Sequence, residues 1–340
     1  MTLPRYQRTR PAGTCYTAAV VAKGLPYERL DQNSAPSEVR PSVVVIGNLD
    51  GIHRGHAAVL RAAVQRAAHD GLSPYVLTFD PHPSVVLGRP EPARLATLER
   101  RAELARSLGI ERVFVRTFDG EFATWPPLRF AKELLVQKLF AHEISIGQNF
   151  RFGAGAAGNF SKMVTLGESL GFVTTAHALV GDEQGPFSSS RARAAIAAGQ
   201  MDEAERILGR PHALSGVVVE GRKLGRTIGF PTVNLGDVPE MLPPDGIYAT
   251  LVEQVFEEDV RVLALGAMSI GVRPTVGEGL ERTVEVYLLD FEGDLYGAHL
   301  RVHVVARLRG EERFVDLEAL KAKIAEDVAE TRRILAGRHF

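Results

Sequence analysis

Two histidines three residues apart stand in the stretch Gly47 Asn48 Leu49 Asp50 Gly51 Ile52 His53 Arg54 Gly55 His56, between an apolar run and a helical pattern. Imidazoles there can donate hydrogen bonds to phosphoryl oxygens, and the glycines let a ligand approach the backbone closely. Taken alone, the pair also admits a metal site or simple capping of the helix, although no third His or Cys lies nearby to complete a zinc set. Residues 221–234 form a second candidate, basic and punctuated by glycine. Backbone N–H groups with Arg222, Lys223 and Arg226 could cradle phosphates there, while Thr232 and Asn234 present oxygens to a Mg2+. An ordinary β-turn with surface charges fits that spacing equally well, and neither GKS nor GKT occurs in it. Further on, Val284, Val286 and Leu288 alternate with Thr283, Glu285 and Tyr287, so the Glu285 carboxylate projects away from the aliphatic layer. By itself such a glutamate is most simply a solvated surface group.

These residues need a frame. Val43 Val44 Val45 Ile46 is a continuous β-branched run that stops at Gly47, the pattern of a strand buried on both faces and hence of a parallel sheet. Leu60, Ala63, Val64 and Ala67 recur at helical spacing, and Gly71 follows Asp70, which predicts a helix over 56–70 with a glycine C-cap. Strands at 75–78, 112–116, 143–146 and 172–176 alternate with helical stretches at 98–108, 128–140 and 163–170. That alternation predicts a doubly wound α/β domain with ligands at the carboxyl ends of its strands. Beyond Leu208 Gly209 Arg210 Pro211 the texture changes to short alternating segments, 215–219, 247–252, 261–265, 283–289 and 300–308, as in a small antiparallel β-barrel. An amphipathic helix closes the chain, with Asp316 as N-cap and Leu317, Leu320, Ile324 and Val328 on one stripe. The expected division is 1–40 as an extension without assignable role, 41–210 as the first domain and 211–340 as the second.

Composition narrows the function classes. The chain of 340 residues has 40 Lys plus Arg against 41 Asp plus Glu, so it carries no overall field to recruit nucleic acid or an anionic membrane. Its substrates are expected to be small molecules; the oligomeric state is not legible. One cysteine, Cys15, excludes an intrachain disulfide and a multi-thiolate zinc site and favours a reducing, cytoplasmic setting. The apolar patch 16–22 is too short for a membrane span and a poor signal peptide.

The histidine stretch resembles the HxGH motif of the nucleotidyltransferase superfamily, and its longer form, GNxDGxHxGH, is similar to the adenylyltransferase module of the prokaryotic bifunctional riboflavin kinase/FAD synthetases. Thr78 Phe79 Asp80 Pro81 His82 Pro83 is similar to that family's TFDPHP stretch. Gly147 Gln148 Asn149 Phe150 Arg151 Phe152 Gly153 resembles its flavin-side GxxFxFG loop, and Ser188 Ser189 Ser190 Arg191 Ala192 Arg193 its SSTxIR segment. In the second half, Gly229 Phe230 Pro231 Thr232 Val233 Asn234 resembles the GFPTAN signature of riboflavin kinase, with Pro244 to Ala249, Ile270 to Thr275, the strand around Glu285 and Leu308 Arg309 Gly310 Glu311 similar to further family motifs.

The resemblance implies a Rossmann-like nucleotidyltransferase domain followed by a riboflavin-kinase barrel, with ATP as co-substrate, Mg2+ as cofactor, and riboflavin, FMN and FAD as substrates and products. It implies His53, His56 and Arg193 as catalytic for FMN adenylylation, supplying positive charge around the α-phosphate, and Glu285 as the base for the ribityl 5'-hydroxyl. Gly47, Asn48, Asp50, Gly51, Gly55, Pro81, His82, Pro83, Asn149, Phe150, Phe152, Ser189 and Ser190 would bind nucleotide or flavin in the first half. Gly225, Arg226, Gly229, Phe230, Pro231 and Arg309 would do so in the second, with Thr232 and Asn234 at the metal. Departures from the family pattern are Leu49 for phenylalanine, Ser190 for threonine, Asn149 for aspartate, Val233 for alanine, Ser269 for asparagine, and Ala192 for isoleucine, which removes an anchor behind Arg193. Two other readings remain: a kinase whose first domain is inactive or serves another acceptor, and a non-catalytic flavin carrier on the same scaffold.

Overall fold

The computed structural model describes residues 26–30, 36, 38–221, 225, 228–257, 259–274 and 280–338. Cys15, the patch 16–22, Arg222, Lys223, Arg226 and Thr275 lie outside the described residues.

The β-branched run forms strand β2 (Ser42–Ile46), every residue of which is buried. Val44 and Ile46 enter one hydrophobic cluster and Val43 and Val45 another, so each face of the strand has its own layer of helices, as a parallel sheet requires. With β1 (Glu28–Leu30), β3 (Ser73–Asp80), β4 (Arg112–Thr117), β5 (Ala141–Gly147) and β6 (Val173–His177) it makes a parallel sheet of order β1-β4-β3-β2-β5-β6. Part of the expected extension is therefore an edge strand, with Leu30 fully buried. From β2 the chain builds outward on one side through β3 and β4 and on the other through β5 and β6. The order thus reverses between β2 and β5, and it is outside the carboxyl ends of the strands at such a point that open α/β sheets take their ligands.

Helix α1 (Arg54–Asp70) begins two residues earlier than its apolar spacing predicts, because His53 serves as its N-cap; Gly71 ends it in the left-handed conformation, φ 69°. There follow α2 (Pro83–Val86), α3 (Leu98–Ser107), α4 (Gly120–Ala123), α5 (Pro127–Arg129), α6 (Phe160–Leu170), α7 (Ser189–Ala197) and α8 (Met201–Leu208). The helix expected over 128–140 continues from α5 as a π-helix, Phe130–Lys138. A short ribbon, β7 (Gly181–Asp182) and β8 (Gly185–Pro186), precedes α7.

The second half closes into a barrel, β10-β13-β12-β11-β14-β9, from β9 (His212–Val219), β10 (Thr232–Gly236), β11 (Gly246–Val255), β12 (Val260–Pro274), β13 (Leu280–Leu288) and β14 (His299–Arg309). β10 was not among the expected strands, and β12 runs three times the expected length, through Gly266 and Gly271. Gly266 is no breaker: a Cβ there would come within 2.7 Å of Val286 and 2.8 Å of the Thr250 hydroxyl, so glycine lets β12 lie flat against its neighbours.

The C-terminal helix, Leu317–Leu335, is capped by Asp316, whose Oδ1 accepts from Ala319 N at 2.8 Å. Its buried line differs from the apolar stripe: Leu317 is exposed, whereas Asp327 and Thr331 are buried with Leu335. The two halves share one core. Ala192, Ile196, Met201, Ala204, Ile207 and Leu208 of α7 and α8 belong to the same cluster as Leu214, Val218, Val302 and Val304 of the barrel.

Candidate active sites

At the carboxyl end of β2 the chain takes an unfavourable course. Leu49 (φ 50°), Gly51 (φ 79°) and Ile52 (φ 37°) are all left-handed, and a β-branched residue there persists only where its surroundings over-determine it. Asn48 O accepts from Arg101 Nη1 (2.7 Å) and Thr78 Oγ1 (3.2 Å). The Asp50 carboxylate accepts from the backbone of Leu95 (3.1 Å) and Ala96 (3.2 Å) and from Arg193 Nη2 (2.5 Å), while Ser189 Oγ donates to Asp50 O at 2.8 Å. The Arg210 guanidinium donates to Gly51 O and Ile52 O. Strand end, α3, α7 and the junction before β9 thus all grip one loop.

His53 Nδ1 accepts from His56 N (3.3 Å), and the two rings stack with centroids 3.6 Å apart. Gly55 makes this possible, since a Cβ on it would lie 3.0 Å from the His53 ring and 3.3 Å from Phe187 O. Burial, reinforced by the Arg210 charge, lowers His53 to about 4; burial and then His53 itself hold His56 well below the imidazole range. Both shifts favour neutral rings at pH 7. With its Nδ1 accepting, His53 carries its proton on Nε2 and offers a hydrogen bond rather than a charge. Positive potential falls to the α1 N-terminus and Arg193, whose Nε donates to Ala93 O at 2.6 Å and whose Nη1 has no partner among the described residues.

His82 caps α2, its Nδ1 accepting from Ser84 N (3.2 Å) and its Nε2 lying 2.9 Å from the Asn48 amide; Pro81, after a cis peptide bond, and Pro83 flank it. Across the crevice the loop after β5 turns back at Gly147, whose carbonyl accepts from Phe150 N at 3.0 Å. Phe150 and Phe152 stack 5.8 Å apart, with Phe152 buried in the core and Asn149 exposed. Ser190 is exposed on the first turn of α7. Ala192 is fully buried, and Ile196 supplies the large apolar side chain of this helix.

On the barrel, strand register assembles the second site. Asn234 of β10 and Ser269 of β12 both pair with Glu285 of β13, and Thr232 pairs with Tyr287, so these residues share the outer face while Val284, Val286, Met268 and Ile270 fill the interior. Thr232 Oγ1 donates to Glu285 Oε2 at 3.1 Å. A Cβ on Gly221 would collide with the Asn234 amide, and one on Gly271 with the Glu311 carboxylate, which places Glu311 beside this face. Phe230 meets the Tyr287 ring edge-on at 5.4 Å, in a turn where Phe230 N and Ile228 N both donate to Gly225 O and Gly229 has φ 91°. Pro231 is exposed beside it. The expected site residue Arg309 is engaged with the C-terminal helix: Nε and Nη2 meet Asp327 at 3.0 and 2.7 Å, the carboxylate buried and the guanidinium partly so. Among the described residues no group of three or more His, Cys, Asp or Glu could hold a metal. The Thr232 hydroxyl and Asn234 amide are instead the hard oxygen donors that suit a Mg2+ whose shell is completed by phosphates and water.

Sequence reasoning missed Arg210, Arg101 and the N–H groups of Leu95 and Ala96. Backbone donors have no sequence signal, and Arg101 looks like any arginine on a helix surface.

No helix among the described residues is long and apolar enough to cross a membrane. The model for FAD synthetase matches residues 35–191 and that for riboflavin kinase residues 208–335. The bifunctional riboflavin kinase/FMN adenylyltransferase of Escherichia coli (strain K12) is 38% identical, over 87% of this chain and 92% of its own length. The protein of that name from Bacillus subtilis (strain 168) is 34% identical, over 88% of this chain and 94% of its own. A crystal structure described as a macrolide-efflux protein from Streptococcus pneumoniae superposes with a TM-score of 0.80 at 29% identity, covering 90% of this chain and 99% of that one. With two sites on two differently built halves, and relatives matching across both, the chain belongs to the family of bifunctional riboflavin kinase/FMN adenylyltransferases.

Proposed function

We propose that the chain makes FAD in two steps, phosphorylating riboflavin to FMN on the barrel and adenylylating FMN at the β2 and β5 crevice. The observation that carries this reading is the match of each half to a different activity, each half having its own polar cluster. In the first step the ribityl 5'-hydroxyl attacks the γ-phosphorus of ATP, and ADP leaves. An alcohol gains from a carboxylate within hydrogen-bond reach, and Glu285, oriented by Thr232, offers one on this face. Thr232 and Asn234 would hold Mg2+, which when bound neutralises charge on the phosphates.

In the second step an FMN phosphate oxygen attacks the α-phosphorus of ATP, the bond to the bridging oxygen breaks, and pyrophosphate leaves. That nucleophile is already ionised near pH 7, so no strong base is needed. His53 and His56 stabilise the transition state as fixed, dry hydrogen-bond donors, a form of preorganisation that needs no charge on the rings. Arg193 supplies the cation, and the Asp50 carboxylate fixes its direction. The side of the β5 loop that carries the half-buried Phe150 and the exposed Asn149 receives the flavin. The lone cysteine supports a cytoplasmic setting.

The test is incubation with riboflavin, ATP and Mg2+ and separation of the flavins over time. FMN should appear first and FAD later. FMN accumulating without FAD would mean that the first half is inactive or serves another acceptor.

A further inference from the structure

Arg210 lies between α8, which ends in the left-handed Gly209 (φ 77°), and β9, which begins at His212; it falls in the stretch that matches riboflavin kinase. Its side chain nevertheless reaches into the other half. Nη1 donates to Ile52 O at 3.1 Å and to Leu208 O at 3.2 Å, and Nη2 donates to Gly51 O. Gly51 and Ile52 are the two left-handed residues immediately before His53, and His53 is the N-cap whose Nδ1 accepts from His56 N in the first turn of α1. The backbone at Ile52 does not favour this course, so something outside the loop must hold the carbonyls where they are. A planar guanidinium meets several carbonyls at fixed angles, which a single ammonium does not.

We propose that Arg210 is a positioning residue for adenylyl transfer, holding the carbonyls of Gly51 and Ile52 so that His53 and His56 are aimed into the crevice. The proposal rests on the reading of that crevice as the FAD-forming site. It makes one residue of the kinase-like segment a working part of the other activity. A merely structural role, gluing α8 to the loop, would instead lower both activities in step with stability.

The experiment compares Arg210→Lys and Arg210→Ala with the unaltered chain, measuring FMN formation from riboflavin, FAD formation from supplied FMN, and thermal unfolding. A displacement of reacting groups by an ångström reduces turnover by about 100-fold. The kcat for FAD formation should therefore fall by about 10- to 100-fold in both variants, with KM for FMN and ATP within about threefold. FMN formation should stay within about twofold, since its polar cluster is elsewhere. Methylguanidinium added to Arg210→Ala should recover part of the FAD rate and leave the unaltered chain unchanged. Full activity in Arg210→Lys, an FAD rate within about twofold of the unaltered chain in Arg210→Ala, or parallel loss of both activities would overturn the proposal. If the unaltered chain itself makes no FAD while making FMN, the reading of the crevice fails, and the proposal falls with it.

Discussion

Glu285 and His56 carry different chemistry, and single substitutions should separate it. Glu285→Gln keeps the shape and can still accept from Thr232, but removes the charge that draws a proton from an alcohol. FMN formation should fall by about 10²- to 10⁴-fold, while FAD formation from supplied FMN continues; an undiminished kinase rate would remove Glu285 as base. His56→Ala should do the reverse, costing FAD formation about 10²- to 10³-fold and sparing FMN formation. Equal loss of both products would end the division of labour. These positions were legible because whole strings of residues carry them. The neutrality of the histidines was not, since it comes from burial that only the folded chain provides, and neither was the use of Arg309 against Asp327, more than a dozen residues away on a helix whose apolar spacing pointed elsewhere.

Elements differ in how openly they announce themselves. β2 and α1 were readable because each buries residues at its own period. β10 was missed because only Val233 and Leu235 point inward and Pro231 precedes them, so five residues offered too little alternation. The π-helix Phe130–Lys138 has the composition of any amphipathic helix, and its wider winding leaves no sequence trace. Gly55→Ala tests the join of loop to α1: the new Cβ would press on the His53 ring and on a backbone carbonyl, and only the ring can yield. FAD formation should drop about tenfold or more without loss of kinase activity, read by assaying the two steps separately. Asp327→Ala tests the docking of the C-terminal helix. It leaves a partly buried guanidinium without its carboxylate and should destabilise by about 2 kcal/mol in urea unfolding; a change under about 0.5 kcal/mol would mean that the pair does not hold the helix.

Across the whole molecule the halves meet through charge as well as apolar surface. Arg301 of β14 donates to Glu103 of α3 at 2.7 Å across the halves, and within the barrel Glu253, which accepts from His303 at 2.9 Å, also lies 3.5 Å from Arg301. Nothing local in the sequence marks that meeting, because each participant looks like a surface charge until both halves are folded. Buried histidines make the assembly acid-sensitive. His212 is lowered to about 4 by burial, although its bond to Met241 O opposes this, and His53 is lowered to about 4 by burial and Arg210. In the unfolded chain such groups take up protons below about pH 6.5, whereas the folded chain refuses them down to about 4. Stability is therefore full above pH 6.5 and lost as pH falls through this window, by on the order of 3 kcal/mol for each such group. The melting temperature should be flat from pH 8 to 7 and decline from 6.5 to 4. His212→Gln should decline less steeply, and a melting temperature that holds constant to pH 4 would contradict the assignment.

The shared core also sets an order of maturation. On a ribosome, α7 and α8 emerge before any barrel strand, with the apolar faces of Ile196, Ile207 and Leu208 uncovered until Val302 and Val304 arrive. At about 5–20 residues per second, the roughly 100 residues from α8 to the end of β14 take on the order of 5–20 s to synthesise. The half made first thus keeps part of its apolar surface open until the second is nearly made. A chain that stops before β14 leaves α7 and α8 without the apolar partners they have there in the complete fold, so loss of the barrel uncovers hydrophobic surface on the adenylylating half.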